Sequence, residues 1–426
     1  MEDLALKDSW LQEDGDKEDE NNILDPEIVD QAESPDKELM TINMGPQHPS
    51  THGVLRLVVT LSGESVVKCI PDIGYLHTGI EKTAENKTYN QALTLTDRTD
   101  YLNPLINNLG FSLAVERLLG IEKQVPQKAQ VARVILTELQ RISSHLVWLG
   151  THAMDLGALS TFLYGMRERE IILDIFEKCA GVRMMTSYIM PGGLYADLPS
   201  GFDTDVRNFL AIFKKKWPEY HTLLTNSELW FERTKGIGAL TAQEAISYGV
   251  TGPILRACGV KYDIRKMFPY IGYETYDFEV PLGKTGDVYD RFMVRMLEVP
   301  QSIRIIEQAL DKLPEGDWMI NDPKIAPPKK WQIATNMESL IHHFKLFTEG
   351  YKPPAGEVYS RVESARGELA YYMVSDGSNK PYRMHIRAPS FANLQSMPLM
   401  LEGRSNFADI VSAIGSIDII LGEVDR

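Results

Sequence analysis

Two histidines stand four residues apart in a short loop rich in proline and glycine. Residues 44–53 read MGPQHPSTHG, with His48 and His52 inside them, and lead directly into the alternating run 54–61. An unperturbed imidazole titrates at about pH 6.5, so a histidine held on a stiff loop suits proton transfer near neutral pH. The segment therefore predicts a rigid loop that feeds a strand and carries proton chemistry.

The same histidines allow a second interpretation, because two histidines at this spacing also occur in zinc sites. Pro49 interrupts any helix between them, however, and no third ligand follows. Cys69, Cys179 and Cys258 lie far apart and form no CxxC pair. We therefore predict no metal ion and no iron–sulfur cluster in this chain, and three buried free thiols in a reducing compartment. A purely structural role for the two histidines stays open.

Tyr101 is a second candidate, because it closes the polar run DRTDY at residues 97–101. A phenol titrates near pH ~10 and an imidazole near ~6.5, so the two together supply two protons of graded acidity. The alternative is a tyrosine that simply caps the core.

Asp155 is the third candidate. It follows His145 and His152 on a predicted helix whose other neighbours are leucine, tryptophan, alanine and methionine. A carboxylate in apolar surroundings needs a charged partner, and a histidine held protonated by it is the natural one. The alternative is a helix-end aspartate that faces water.

Charge and motifs exclude several classes of protein. Of the net charge of −15, residues 1–39 hold −12, from fifteen acids and three lysines, so the rest of the chain carries only −3. We expect the acidic segment to be disordered, and one hypothesis is that it clamps a basic neighbouring subunit. Without a basic excess, no nucleic-acid partner is predicted. Gly236 and Gly238 lack the third glycine of a dinucleotide motif, so nucleotide binding is not predicted either.

The start of the chain resembles neither a transit peptide nor a secretory signal, and no run approaches the ~18 apolar residues of a membrane-spanning helix. We therefore expect a cytoplasmic or peripheral protein.

Hydrophobic periodicity predicts an α+β fold: an N-terminal β-hairpin, a central helical bundle and a mixed C-terminal segment. Residues 55–61 alternate and turn at 62–64 into 65–70, and residues 367–375 and 382–388 flank a second turn. Residues 94–100 are predicted to be a polar junction between two helices, and Pro126 to open a long one. The predicted helices span residues 81–90, 101–119, 126–157, 162–179, 202–229 and 407–421.

These patterns divide the chain into four segments. They are the acidic extension at 1–39, the N-terminal β-hairpin region at 40–72, the helical core at 73–350, and the C-terminal hairpin with its closing segment at 351–426.

Several motifs resemble one family in order and spacing. They are MGPQHPSTHGVLR at 44–56, GYLHTGIEK at 74–82, DRTDY at 97–101, THAMDLG at 151–157, PGG at 191–193 and GEVDR at 422–426. They resemble the NuoD family, the quinone-site subunit of respiratory complex I, which is an NADH-quinone oxidoreductase. The resemblance covers about residues 40–426 and leaves out only the acidic extension.

This family is similar to the large subunits of [NiFe] hydrogenases, which hold their metals with two CxxC pairs. The resemblance therefore implies a hydrogenase-like fold. Where those pairs are expected, residues 98–103 and 418–425 contain no cysteine. The implied metal centre is lost, and the cavity is reused for a quinone.

The resemblance also implies the site. His52 and Tyr101 would bind the quinone head, Asp155 would pair with His52, and Thr151 and Ile420 would complete the quinone-binding residues. The implied substrate is a quinone, menaquinone or ubiquinone. The implied partners are an iron–sulfur subunit with the terminal cluster, other peripheral-arm subunits and membrane-arm subunits, with FMN and the clusters held by partners. The resemblance thus implies that this chain is part of a proton-translocating NADH:quinone oxidoreductase and lies on the cytoplasmic face of the bacterial inner membrane.

Two positions depart from the family pattern. Many relatives have an arginine where this chain has Thr78, and a histidine where it has Met185. Both positions are expected near the partner's terminal cluster. Because neither side chain titrates, we predict a cluster potential less dependent on pH, which suits a low-potential quinone such as menaquinone.

Two other functions remain open from the sequence. One is the corresponding subunit of a related membrane complex fed by ferredoxin, a reduced deazaflavin or hydrogen. The other is an inert assembly scaffold.

Overall fold

A computed structural model describes residues 39–426. The disorder predicted for the acidic extension falls on residues outside this range. The fold is α+β, as predicted: helices form the centre, and small antiparallel sheets flank them. The four-segment division of the chain stays a prediction.

The N-terminal sheet has three antiparallel strands in the order β1-β2-β3: β1 (Leu39–Met44), β2 (Arg56–Ser62) and β3 (Ser65–Asp72). Strand β2 buries Leu57, Val59 and Leu61 and turns its other residues outward, which confirms the predicted hairpin. Strand β1 was not predicted from the sequence; its side chains are mostly exposed, although residues 40–44 alternate between apolar and polar.

Seventeen helices are described between and after the sheets. In chain order they are α1 (Ile80–Ala84), α2 (Tyr89–Thr99), α3 (Pro104–Leu119), α4 (Gln127–Asp155), α5 (Leu159–Ala180), α6 (Phe202–Tyr220), α7 (Glu228–Glu232), α8 (Ala242–Ser247), α9 (Pro253–Ala257), α10 (Ile264–Met267), α11 (Val288–Asp311), α12 (Lys330–Thr335), α13 (Met337–Thr348), α14 (Pro389–Leu394), α15 (Met397–Leu401), α16 (Phe407–Ile417) and α17 (Leu421–Asp425). Two-residue strands β4 (Ile189–Met190) and β5 (Gly193–Leu194) pair with each other.

Helix α4 is the centre of the bundle. Pro126 precedes its first residue, as predicted, and almost every side chain from Ala129 to Ala153 is buried. It packs against α5, α11 and α16. Its last turn, which carries Thr151 and Asp155, reaches a less buried environment.

The polar junction predicted at residues 94–100 is wrong for residues 94–99, because these belong to α2. Thr88 and Gln91 form a capping box that starts the helix late. The hydroxyls of Thr96 and Thr99 donate back to carbonyls one turn earlier, so polar side chains are satisfied inside a buried helix. The break falls instead at residues 100–103, and Tyr101 lies in this turn before α3.

The C-terminal sheet has the order β6-β7-β8, with β6 (Gly356–Ser364), β7 (Gly367–Ser375) and β8 (Arg383–Arg387). The hairpin of β7 and β8 is confirmed. A second hairpin, which the sequence did not predict, joins β6 to β7 through the two residues Ala365 and Arg366.

Two predicted helices are shorter than expected. The helix from residue 202 ends at Tyr220, beyond Pro218, and continues as a π-helical turn over His221–Thr225. The helix predicted at 407–421 stops at Ile417, because Asp418 adopts a left-handed conformation with φ of 56°. A separate short helix, α17, then closes the chain.

Two apolar clusters form the core of the described residues. One joins α2 to α6 with α11 and the C-terminal sheet, and the other joins the N-terminal sheet to α15, α16 and α17. The three cysteines are free and buried, as predicted. No helix of residues 39–426 is both long and apolar enough to cross a membrane.

Candidate functional site

The two-histidine loop is a compact turn held by its own hydrogen bonds. Residues Pro49–Thr51 form one turn of 3-10 helix, and the Thr51 hydroxyl lies 3.2 Å from the Pro46 carbonyl oxygen and 3.0 Å from that of His48. Thr51 is fully buried. The 3-10 turn packs against α16. The loop is therefore rigid, as its proline and glycine content predicted.

His52 ends this turn in a left-handed conformation, with φ of 55° and ψ of 17°. A side chain in this region is uncommon and costs roughly 1 kcal/mol, and such residues cluster at functional sites. The His52 side chain is exposed, yet the surrounding protein lowers its pKa through desolvation, with a further contribution from the Arg366 charge. Because its pKa lies below the ordinary value of about 6.5, the imidazole is mostly neutral at pH 7.

His48 is oriented by its own backbone. Its Nδ1 accepts a hydrogen bond of 3.2 Å from the backbone N–H of Ser50, so the proton of the neutral ring lies on Nε2. Burial raises the pKa of Asp155, and the electrostatic interaction with His48 opposes this rise. The structure thus places Asp155 near His48, whereas the resemblance implied a pairing with His52.

The histidines on α4 are not partners of Asp155. His145 Nε2 lies 3.0 Å from the Glu298 carboxylate, and burial lowers its pKa to about 4. His152 is buried between Trp148 and Trp230, and burial lowers its pKa to about 3. Both imidazoles are neutral at pH 7, so the expectation of a histidine held protonated by Asp155 does not apply to them.

Tyr101 lies half-buried in the turn between α2 and α3. Desolvation raises the pKa of its phenol, and the nearby acids Asp100, Asp418 and Glu423 raise it further, while Arg366 opposes them. The hydroxyl therefore keeps its proton in the resting protein. A phenol that holds its proton and donates it only to a developing anion suits a proton donor.

Arg366 lies at the centre of the site. It occupies the tight turn between β6 and β7 and is fully buried. Its guanidinium donates to Asp100 Oδ2 at 2.8 Å, to Asp418 Oδ1 at 3.1 Å and to the Asp418 carbonyl oxygen at 2.8 Å. Its charge adds to the lowering of the His52 pKa and opposes the rise of the Tyr101 pKa, so both candidates lie within electrostatic range of this one cation.

Thr151 and Ile420, the other two predicted quinone-binding residues, lie on different elements. Thr151 lies one turn before Asp155 on α4, and its hydroxyl donates to the Val147 carbonyl oxygen at 3.0 Å. Ile420 is buried and begins α17, with its backbone N–H 3.3 Å from the Ser390 hydroxyl. Ile420 lies on the segment that also carries Asp418.

Thr78 and Met185 lie on two other loops. Thr78 is exposed and follows residues 74–77, which Asp425 anchors by accepting from the backbone N–H groups of Gly74 and Leu76. Met185 is half-buried with a left-handed φ of 55°, two residues before Ser187, whose hydroxyl donates to the buried carboxylate of Asp97.

A buried network of charges holds the elements behind the site. Arg256 on α9 donates to Glu363 on β6 at 2.8 Å and to Glu298 on α11. Arg265 pairs with Glu138 of α4 at 3.1 Å. All five side chains are buried, and removing one partner of such a pair typically costs about 3–5 kcal/mol. The turn that carries Arg366 is therefore firmly placed.

The sequence alone did not single out Arg366, Asp418 or Glu423 as members of the site. A signal existed for the two acids, because they interrupt the apolar run at 407–424, and charges in such a run are expected to be buried and paired. Arg366, which donates to Asp418, is 52 residues away from it in the chain, and no local sequence pattern connects the two residues.

Within residues 39–426, no group of three or more histidine, cysteine, aspartate or glutamate side chains is arranged to hold a metal ion. His48 and His52 are accordingly accompanied by no third ligand in the part of the chain that the structure describes.

Comparisons with known proteins agree in one family. The family model of the respiratory-chain NADH dehydrogenase 49 kDa subunit matches residues 155–426. A protein of Roseiflexus sp., named as a D-type subunit of NADH-quinone oxidoreductase, is 61% identical over 403 residues, which cover 94% of this chain and 96% of that protein.

Two further relatives carry the same kind of name. The D-type protein of Roseiflexus castenholzii is 63% identical over 393 residues, covering 92% of this chain and 94% of the relative. The D-type protein of Chloroflexus aurantiacus is 59% identical over 403 residues, covering 94% and 97%. This chain belongs to the family of the 49 kDa subunit of the respiratory-chain NADH dehydrogenase.

Proposed function

We propose that this chain is the subunit of a proton-translocating NADH:quinone oxidoreductase that forms the quinone-reducing site, with His52 and Tyr101 as the donors to the quinone. The single observation that supports this proposal is that the charge of the buried Arg366 contributes to the pKa shifts of both side chains. The names of the relatives support the reaction of the whole complex.

The chemistry of the two donors supports this assignment. Reduction of a quinone to a quinol takes up two electrons and two protons, and negative charge develops on the two carbonyl oxygens. Donors aimed at those oxygens stabilise the charge and deliver the protons. A neutral imidazole still donates through its N–H, and the phenol of Tyr101 keeps its proton until an anion develops beside it.

The other candidates have supporting roles in this proposal. Thr151 and Ile420 contribute to the cavity wall, and Asp155 acts on the two-histidine loop through His48. Thr78 and Met185 face the partner subunit that carries the terminal iron–sulfur cluster. The electrons arrive from FMN and iron–sulfur clusters in partner subunits of the peripheral arm. Membrane-arm partners would translocate protons, and the chain would lie peripherally on the cytoplasmic face of the bacterial inner membrane.

Replacing Tyr101 by Phe in the purified whole complex tests the proposal. Loss of one positioned proton donor is expected to lower quinone reduction by about 100-fold or more. Reduction of an artificial electron acceptor by NADH should be unchanged, because it does not use the quinone site. The matched control is Tyr372→Phe on β7, whose exposed hydroxyl donates to Glu357 of the neighbouring strand β6 at 2.6 Å.

Turnover of this variant and the choice of electron donor distinguish the two alternatives. Wild-type quinone turnover in Tyr101→Phe, with the complex assembled, would favour an inert scaffold. A complex that accepts electrons from ferredoxin but not from NADH would instead support the related ferredoxin-linked assembly.

A further inference from the structure

A group of buried acids lies behind Tyr101 and is not used by the proposed function. Asp100, Asp418 and Glu423 are all buried, and Arg366 lies among them. Gly422 explains how they meet, because a Cβ at this position would lie 2.8 Å from the Thr99 carbonyl oxygen and 2.9 Å from that of Arg98. The start of α17 is therefore packed directly on the end of α2, beside Tyr101.

The charges of this group do not balance when every acid is ionised. Three carboxylates share two guanidinium groups, those of Arg366 and Arg295, and Arg295 stacks on Trp148 at 4.3 Å. One additional proton makes the group neutral. A buried net charge is costly, so the protein is expected to hold that proton on one of the carboxyl groups.

Two oxygen atoms are available to carry the proton. Among the described residues, Asp418 Oδ2 and Glu423 Oε2 are buried without a hydrogen-bond partner. Glu423 Oε1 accepts from the backbone N–H of Ser390 at 3.0 Å, and Asp418 Oδ1 accepts from Arg366. An ionised oxygen without a donor is unfavourable, whereas a protonated carboxyl group leaves a smaller penalty.

We propose that Glu423 holds one exchangeable proton behind Tyr101 and shares this proton with Asp418. Glu423 returns the proton to the Tyr101 oxygen after the Tyr101 hydroxyl has protonated the reduced quinone. The inference rests on the proposed function. The phenol O–H bond breaks towards the quinone oxygen, and a new O–H bond then forms with the proton that leaves the carboxyl group. The electrons come from the complex, and a proton from solution refills the store. Glu423 acts through Tyr101 and is not itself in contact with the quinone.

The direction of the titration agrees with this assignment. Burial, and then repulsion by Asp100, raise the pKa of Glu423, while Arg366 and the hydrogen bonds from Ser390 oppose them. Burial raises the pKa of Asp418 to about 6 despite Arg366 and Arg295. Besides Tyr101, Glu423 acts on the guanidinium of Arg366 and on the buried phenol of Tyr371.

The test is Glu423→Gln in the purified whole complex, with Glu423→Asp as the conservative variant. Quinone reduction by wild-type complex should fall towards alkaline pH as the store loses its proton. Glu423→Gln should lower turnover about tenfold and remove this alkaline decline, and Glu423→Asp should restore both. The matched control is Asp409→Asn, a half-buried acid in the first turn of α16 that accepts from the backbone N–H of Asn406 at 3.0 Å, which an amide oxygen can also do. Unchanged turnover and an unchanged pH profile in Glu423→Gln would overturn the proposal.

If the Glu423→Gln complex does not assemble, infrared difference spectroscopy of the wild-type complex and of Glu423→Asp tests the proposal instead. The wild-type complex should show the C=O band of a protonated carboxyl group at neutral pH, and Glu423→Asp should shift that band. A missing band, or a band that Glu423→Asp leaves in place, would contradict the inference. The proposed function fails separately, if Tyr101→Phe keeps wild-type quinone turnover.

Discussion

Arg366 and Asp100 form a fully buried ion pair, with 2.8 Å between Nη1 and Oδ2, that joins the turn of the C-terminal sheet to the residue before Tyr101. The two are 266 residues apart in the chain. The same guanidinium also holds Asp418 at the end of α16. One side chain therefore fixes the position of Tyr101 relative to the last two helices.

Replacing Arg366 by Met should destabilise the subunit by about 3–5 kcal/mol, because two buried carboxylates lose their shared cation. Arg366→Lys should lose less stability than Arg366→Met, since lysine keeps the charge but not the planar arrangement of donors. The measurement is the midpoint of thermal denaturation of the purified complex, together with retention of the subunit. As a control, Arg383→Met removes ion pairs of Glu81 and Glu85 from a half-exposed arginine and should cost under ~1 kcal/mol. Equal effects of Arg366→Met and Arg383→Met would contradict the role of the buried pair.

The parts of the fold with local signals were predictable. The alternation of β2 and the proline before α4 identified a strand and a helix, because one buried face and one missing N–H leave marks in neighbouring residues. Residues 94–99 were misassigned, because their polarity suggests a loop unless their buried partners are known. Ser187, whose hydroxyl donates to Asp97, is 90 residues further along the chain.

The candidate site divides in the same way. His52 and Tyr101 could be proposed from the sequence because their types and motifs suggest proton chemistry, and their role stays a prediction. Arg366 was not proposed, since an arginine in a tight turn is ordinarily exposed. Its role depends on contacts with Asp100 and Asp418 that no periodicity encodes. Long-range pairing of buried charges is thus the part that the sequence alone did not provide.

Acid should destabilise the subunit through His145 and His152. Burial lowers their pKa values to about 4 and about 3, so between these values and about pH 6.5 the unfolded chain binds more protons than the folded one. Stability is then fully present above about pH 6.5 and is lost as the pH falls. For His152 the full loss would be about 5 kcal/mol.

His152→Phe isolates the contribution of this residue. The variant complex should lose less thermal stability than wild type when the pH is lowered from about 7.5 to about 5.5, because Phe cannot take up a proton. An identical decrease in both proteins would show that His152 is not responsible. The aromatic replacement keeps a planar ring between Trp148 and Trp230.

The terminal cluster of the partner subunit is expected to have a potential that depends weakly on pH, because Thr78 and Met185 carry no titratable group. One proton coupled to one electron would give a slope of about 59 mV per pH unit. We expect a slope well below this value in the wild-type complex and a steeper one after Met185→His. Redox titration of the cluster by electron paramagnetic resonance at several pH values checks both. A steep slope in the wild-type complex would contradict the prediction.

Gly45 should be essential for the two-histidine loop, whereas Gly53 should not. Both have positive φ, 86° and 80°, so alanine is strained at either position by roughly 1 kcal/mol. At Gly45 a Cβ would also lie 2.2 Å from the Leu55 carbonyl oxygen and 2.7 Å from the Thr51 hydroxyl, whereas at Gly53 nothing lies within 4 Å. Gly45→Ala must therefore displace the backbone that sets His48 and His52, and quinone reduction should fall at least about tenfold. Gly53→Ala should keep most of the activity. Both variants are measured by the quinone turnover of the assembled complex. NADH-dependent reduction of an artificial acceptor is the reference. Equal quinone turnover in the two variants would refute the proposed importance of the loop geometry.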